Sequence, residues 1–160
     1  MIIRLKRSKK RDAEGDIEFT TDGDIYLAYA DKLVADMTTR QIELFGSETE
    51  PARIETKNGQ TQIAGGHIIV DEVESSIQVI GPGTWSYRLA RRGDKQDDEP
   101  GIMMVTWRGR MTYDHARAEV LFVDDVLSQA RQGLESGRLI APGDLTLFLT
   151  KSTSTADNTN

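Results

Sequence analysis

The sequence predicts an all-β domain built from repeated antiparallel hairpin units. Three observations predict it. Apolar and polar residues alternate at period two over most of the chain. Runs of Gly, Pro, Asn and Asp that favour tight turns separate the alternating stretches. A pattern built around an aspartate occurs three times, which is typical of a repeat architecture.

The composition alone argues against several classes of site and partner. The 160 residues suffice for one domain, and the absence of cysteine excludes disulfides and cysteine-ligated metal sites. The net charge of −6 argues against a nucleic-acid partner, because such proteins neutralise phosphates with Lys and Arg. The one basic cluster lies in residues 4–11, where it indicates a flexible basic leader over 1–16, with contact to anionic lipid or nucleic acid as the alternative.

The search for targeting signals in the sequence leads to two alternative expectations for localisation. No stretch reaches the roughly 18 apolar residues of a membrane span, and the basic residues after Ile3 interrupt any apolar core of a secretory signal. We therefore expect a cytoplasmic protein if the chain is complete as given, and a periplasmic one if it belongs to a longer or processed product. Residues 151–160 are small and polar, which predicts a disordered tail.

The alternation predicts the strands one by one. The clearest covers Met103 to Tyr113 as a single strand, with Val105, Trp107, Met111 and Tyr113 on one face. Similar runs predict strands at Ile25-Leu27-Tyr29, Ile42-Leu44, Ile77-Val79, Trp85-Tyr87-Leu89, Val120-Phe122 and Leu145-Leu147-Leu149. Asp22-Gly23, Asn58-Gly59, Gly81-Pro82-Gly83 and Pro142-Gly143 are interpreted as turns, and Gly65-Gly66 as a bulge or close backbone approach. Residues 125–136 fit either a short helix or a strand pair with a wide turn.

The repeated unit is centred on Asp36, Asp71 and Asp114. Apolar residues stand three positions before each aspartate and six, eight and nine positions after it. We expect each aspartate to cap its own backbone in a turn, and the hairpins to stack because one hairpin cannot cover its own apolar face. The last interval is longer because it holds the polar segment 91–100. The chain is therefore interpreted as a single domain over 17–150 with a polar insertion at 91–100.

These segments resemble the OstA-like family of lipopolysaccharide-transport proteins. The resemblance is carried by Ala30-Asp31-Lys32-Leu33-Val34-Ala35-Asp36, Ile42-Glu43-Leu44-Phe45-Gly46, the strand from Gly59 to Asp71, and Ile77-Gln78-Val79-Ile80-Gly81. A more diverged copy extends from Trp107 to Leu149. The sequence departs from the family pattern in lacking a signal segment, in carrying the insertion, and in having Asp124 where the other units have Gly.

The resemblance implies an OstA-like β-jellyroll of stacked V-shaped antiparallel strand pairs, with open sheet edges at the ends and an apolar channel between two sheets. It implies a non-catalytic, lipid-handling domain without cofactor, which binds and passes lipopolysaccharide-like amphiphiles in the cell envelope during outer-membrane biogenesis. The implied partners are lipopolysaccharide or a similar lipid, further copies joined head to tail, and other transport components. Two alternatives stay open: an interaction module that assembles edge to edge without ligand, and a carbohydrate-binding β-sandwich.

Residues at the inward phase of the predicted strands are the candidates for lining an acyl-chain channel, with ordinary core packing as the alternative. They are Leu44, Ile68, Val70, Ile77, Val79, Trp85, Tyr87, Trp107, Tyr113, Phe122 and Leu147. Arg88 is the candidate for a rim contact with lipid phosphates. No catalytic or metal-binding residue is predicted: His67 and His115 are assigned to a strand and a turn, and the acidic residues 97–99 to a solvated loop.

Overall fold

The computed structural model describes residues 17–21, 24–47, 49–88 and 101–149, and in these residues it is all-β, as predicted. The predicted leader, polar insertion and tail lie outside the described residues. The strands are β1 (Ile17–Thr21), β2 (Asp24–Tyr29), β3 (Lys32–Asp36), β4 (Gln41–Phe45), β5 (Ala52–Thr56), β6 (Thr61–Asp71), β7 (Ser76–Arg88), β8 (Ile102–Trp107), β9 (Arg110–Asp114), β10 (Glu119–Val123), β11 (Val126–Gln132), β12 (Glu135–Ala141) and β13 (Leu145–Phe148).

All neighbouring strands are antiparallel, and they form two half-sheets that share the long strands β6 and β7. The first half-sheet has the order β3-β4-β6-β7-β9-β10-β13, and the second has the order β1-β2-β5-β6-β7-β8-β11-β12. Corresponding strands take the same place in both half-sheets, because β2 continues into β3, β4 into β5, β8 into β9, β10 into β11 and β12 into β13. Each strand or strand pair therefore crosses from one half-sheet to the other through a bend.

The bends form one continuous line, which we call the spine. Backbone hydrogen bonds join neighbouring bends: the Asp31 N–H donates to the Phe45 carbonyl at 3.0 Å and the Gly46 N–H to the Gly66 carbonyl at 2.9 Å. On the far side, the Arg108 N–H donates to the Asp124 carbonyl at 2.9 Å. The half-sheets diverge from the spine, so that the predicted V-shaped strand pairs are confirmed.

Glycine allows the backbones to approach closely at the spine. The β6–β7 register shifts between Gly65 and His67, which confirms the predicted bulge. A Cβ on Gly83 would lie 2.5 Å from Cζ2 of Trp107, so the indole occupies the space that a side chain would need. The Trp107 Nε1–H donates to the Gly81 carbonyl at 3.0 Å. Residues 81–83 therefore bend β7 without ending it, and their interpretation as a turn between strands was wrong.

The three predicted aspartate turns are confirmed and share one geometry. Oδ1 of Asp36, Asp71 and Asp114 accepts the N–H three positions ahead in each case, at 3.2, 2.9 and 3.0 Å. The fourth residue after each aspartate has a positive φ, namely Arg40 (57°), Ser75 (50°) and Ala118 (51°). An aspartate followed by a left-handed residue thus closes each of these four-residue loops.

The aspartate turns also line up across the first half-sheet. Asp36 is opposite Gln41, Gln41 is opposite Asp71, and Asp71 is opposite Ser76. The Glu72 N–H donates to the carbonyl of Arg40, and the His115 N–H repeats this contact one turn further on, with the carbonyl of Ser75. The free tip of the half-sheet is therefore a ladder of turns linked by hydrogen bonds, and it keeps successive hairpins in register.

Three local expectations need correction. The predicted single strand from Met103 to Tyr113 is two strands, β8 and β9, because the chain crosses the spine at residues 108–109. The segment 125–136 is not helical: β11 and β12 form a strand pair whose turn is tight, because Gln132 pairs with Glu135 and Gly133 takes a positive φ of 58°. In β2 the buried face carries Tyr26 and Ala28, whereas the predicted phase selected their neighbours.

Asp71 makes fold stability dependent on pH. Burial by itself raises the pKa of this carboxyl, but hydrogen bonds from the Glu74 N–H, the Gln41 amide at 2.6 Å and the Val73 N–H outweigh it and lower the pKa below its ordinary 3.8. A carboxyl with a lowered pKa stabilises the fold above its unfolded-state value, and this contribution is lost as pH falls through the folded-state value.

We expect Asp71→Asn to lower the free energy of unfolding by about 1–2 kcal/mol at neutral pH, which is the scale of a charge-assisted hydrogen bond. The difference from wild type should shrink as pH falls below 3.8. Urea denaturation over a pH series measures both effects. Asp31→Asn removes a carboxylate at an exposed bend and serves as the control. A difference that stays constant down to acidic pH would contradict the role of the carboxylate charge.

Candidate functional site

The candidate site is the seam between the inward faces of the two half-sheets. On the first half-sheet the inward side chains form two rows across all strands, and both rows are free of charged residues. The row next to the spine is Leu33, Leu44, Ile68, Val79, Met111, Phe122 and Leu145. The row next to the aspartate turns is Ala35, Ile42, Val70, Ile77, Tyr113, Val120 and Leu147.

The second half-sheet presents a matching apolar surface. Its central inward row contains Ala28, Ile54, Ile63, Trp85 and Val105. Closer to the spine, Gly65 leaves space that Val79 fills, and Gly83 leaves space that Trp107 fills. Closer to the free tip of this half-sheet, a further row contains Thr61, Tyr87 and Met103. The two half-sheets therefore bury large apolar side chains near the spine and carry tyrosines and smaller groups toward the open side.

Three aromatic rings close the seam near the spine. Phe122 of the first half-sheet packs between Trp85 and Trp107 of the second, with ring centroids 5.8 and 5.2 Å away. Phe122 is fully buried, and each tryptophan is 3% exposed. Tilted ring pairs at this separation add to the free energy gained by burial. This part of the seam is a packed core.

The open side of the seam, between the two free tips, is packed less completely; we call it the mouth. A cavity of about 50 Å³ lies there, and its lining residues are Tyr26, Thr61, Ile63, Ile77, Trp85, Met111, Tyr113, Val120 and Leu149. Ligand sites for drug-sized molecules usually measure about 300–1,000 Å³. The cavity is therefore too small for an acyl chain, and side chains at the mouth must move to admit one.

The eleven predicted channel residues all lie on the inward faces. Eight are buried, namely Leu44, Ile68, Val70, Ile77, Val79, Trp85, Trp107 and Phe122. Tyr87, Tyr113 and Leu147 are half-buried and pack against that core. Arg88 is separate from them: it is exposed on the outer face, at the end of β7. That these residues bind a ligand remains a prediction.

Several residues at the mouth were not predicted to line it. Tyr26 was missed because the alternation in β2 was assigned the wrong phase. The sequence does contain a signal for Ile63, because it is the first apolar residue of its strand and directly follows the polar residues Thr61 and Gln62. Leu149 follows the last strand, and its N–H donates to the carbonyl of Ala118 at 2.8 Å, which fixes it at the mouth.

The two histidines occupy the predicted strand and turn. His67 lies on the outer face, where Nε2 is 2.8 Å from Glu43 Oε2 and the ring stacks on Phe45 at 4.4 Å. His115 lies in the turn after Asp114, with Nδ1 3.0 Å from the Tyr113 hydroxyl. Among the described residues, no group of three or more His, Asp or Glu side chains is arranged to hold a metal ion. These residues also include no helix long and apolar enough to cross a membrane.

The paired half-sheets, the spine and the apolar seam define an OstA-like β-jellyroll, so the resemblance noted in the sequence is confirmed at the level of the fold. One similar solved structure is LptH from Pseudomonas aeruginosa, described as the LptA-homologous periplasmic component of the conserved lipopolysaccharide transport device. The similarity covers 84% of this chain and 89% of that chain, with a TM-score of 0.51 and 12% sequence identity. No protein-family model and no curated protein matches the sequence.

Phe122→Ala tests whether the aromatic cluster holds the half-sheets together. We expect the free energy of unfolding to fall by about 3–5 kcal/mol, because the truncation leaves a cavity between two tryptophans. Chemical denaturation followed by tryptophan fluorescence measures the loss. Phe148→Ala removes an equal side chain that is 74% exposed and should change stability by less than about 0.5 kcal/mol. Equal losses in the two variants would show that the seam does not depend on this cluster.

Proposed function

We propose that this chain is a non-catalytic lipid-handling domain of the cell envelope, which holds lipopolysaccharide-like amphiphiles between its half-sheets and passes them on. The observation that carries the proposal is the seam: two extended apolar faces meet along a spine and end at an incompletely packed mouth. The likeness of fold to a periplasmic component of a lipopolysaccharide transport device supports the same class of ligand and the periplasm as its compartment.

Loading would begin at the mouth, because the spine side is filled by Phe122 and the tryptophans. The half-buried side chains Tyr87, Tyr113 and Leu147 would turn outward and let an acyl chain replace them against Ile77 and Val120. Each methylene buried gains about 0.8 kcal/mol, so a chain of ordinary length offsets the cost of separating a few mouth side chains. No bond is made or broken, and release is the reverse of loading.

A photo-crosslinking residue at Tyr113 tests this site. Tyr113 lines the mouth cavity, so we expect the photoactivatable variant Tyr113→p-benzoylphenylalanine to capture lipopolysaccharide when the two are irradiated together. Capture is read as a shifted band that carries both protein and lipopolysaccharide. Tyr113 is the site of choice because it is half-buried, whereas replacing Phe122 or Val79 would disturb the packed core.

The matched control places the same crosslinker at Thr112, the next residue of β9, whose side chain points to the outer face. Tyr113 should capture lipopolysaccharide several-fold more efficiently than Thr112. Equal capture at both positions would indicate adsorption to the surface. No capture at Tyr113 in protein shown to be folded would refute binding at the mouth.

A second candidate function, an interaction module that assembles edge to edge, is favoured by the ends of the half-sheets. Among the described strands, β12 pairs only with β11, so none of them covers its other backbone edge. Leu139 and Ile140 on this strand are 50% and 62% exposed. An open edge with apolar side chains is a template for adding a strand from another copy or from a transport partner.

We expect the protein to form larger species as its concentration rises, and Leu139→Lys to suppress them, because an edge lysine opposes strand addition. Sedimentation velocity over a concentration series measures the distribution. Leu134→Lys adds the same charge at a fully exposed position in the β11–β12 turn and should leave association unchanged. A wild-type monomer at every concentration would count against self-assembly by this chain, and would leave the crosslinking result unaffected.

A further inference from the structure

Part of the outer face of the second half-sheet has a concentrated positive charge, although the chain as a whole is acidic. We follow it over β7, β8, β11 and β12, where the register places twelve outward side chains in three rows. Three of the twelve are arginines, Arg88, Arg131 and Arg138, and none is acidic. The net charge of the whole chain is −6, so this face is an exception to the overall charge.

The arginines of this face differ in their contacts from four of the five other described arginines; the fifth is Arg110. Arg40, Arg53, Arg108 and Arg117 each form an ion pair with a nearby carboxylate. Arg88, Arg131 and Arg138 are exposed and form no ion pair with any other described residue. Their charge is therefore not neutralised by the described part of the chain, and a local excess of positive charge attracts anionic partners.

Apolar side chains lie among these arginines. In the first row Ile102 stands between Arg88 and Arg131, and in the second row Met104 lies two positions along the same strand. Ile102 is 52% exposed and Met104 is 43% exposed. Together with Arg131 and Arg138, these two side chains line a shallow groove of about 560 Å³. Ile140, in the third row, is 62% exposed and extends the apolar part toward the spine.

We propose that this face, which we call the basic face, docks the protein on an anionic lipid bilayer. A bilayer surface offers both components that the face requires: negative headgroups for the unpaired arginines, and an apolar boundary region for the exposed Ile and Met side chains. Lipid headgroups present charge over a broad surface, which suits arginines spread over three strands. The basic face points away from the seam, so docking leaves the mouth open.

Vesicle co-sedimentation tests the proposal. Phosphatidylcholine vesicles that contain phosphatidylglycerol should sediment the wild-type protein at low salt, and pure phosphatidylcholine vesicles should not. Because each arginine near an anionic surface contributes about 1 kcal/mol, which is about a fivefold gain in partitioning, the double substitution Arg131→Ser with Arg138→Ser should weaken binding roughly 30-fold. High salt should release the wild-type protein, because it screens these charges.

The matched control is Arg110→Ser with Arg117→Ser, which removes the same net charge from the first half-sheet and its turns. This control should bind vesicles as the wild type does. Met104→Ser should weaken binding at low salt while preserving its dependence on phosphatidylglycerol. Equal losses in the two arginine pairs would overturn the proposal, because they would show an effect of net charge alone. Binding to polyglutamate without binding to vesicles would overturn it in favour of an acidic protein partner.

Discussion

The structure depends on the close approach of backbone and side chains at the spine. Every strand of the first half-sheet reaches the second through a bend, and neighbouring bends are held together by backbone hydrogen bonds such as that from Gly46 to Gly66. Trp107 fits against Gly83 because that position has no Cβ, and it then supports Phe122 from the opposite half-sheet. The absence of a side chain at Gly83 thus allows the aromatic cluster to form, and the cluster in turn sets the shape of the seam.

The same arrangement explains why the residues proposed to bind a ligand also contribute to stability. A seam lined by apolar side chains on both faces closes on itself in the absence of ligand, because exposed apolar surface is unfavourable in water. Near the spine the closure is complete. At the mouth the tyrosine hydroxyls have polar partners, with Tyr87 accepting from the Gln60 amide at 2.8 Å and Tyr113 lying 3.0 Å from His115. A mouth held by a few exchangeable hydrogen bonds opens at lower cost than a core held by packing alone.

The sequence was sufficient to predict the fold class, the aspartate turns and the inward position of all eleven channel candidates, because each depends on local alternation or on a capping side chain. Its failures have a common cause. A bend at the spine interrupts a strand without changing its alternation, so residues 103–113 look continuous and residues 81–83 look like a turn. The phase of β2 was misjudged because both of its faces are partly covered, and the tight β11–β12 turn was obscured by residues that also suit a helix. The basic face could not be predicted, since it brings together residues from strands far apart in the chain.

The aspartate turns have a consequence for how such a chain can change in length. Each turn closes with the same hydrogen bond, the same left-handed fourth residue and the same link to its neighbour, and the strands of one bent hairpin pair only with the described hairpins on either side. Duplication or loss of one hairpin would therefore lengthen or shorten the structure by a whole unit while the remaining units keep their geometry, as in solenoid proteins. The length of the domain could then be adjusted by copy number, independently of the chemistry of the lining.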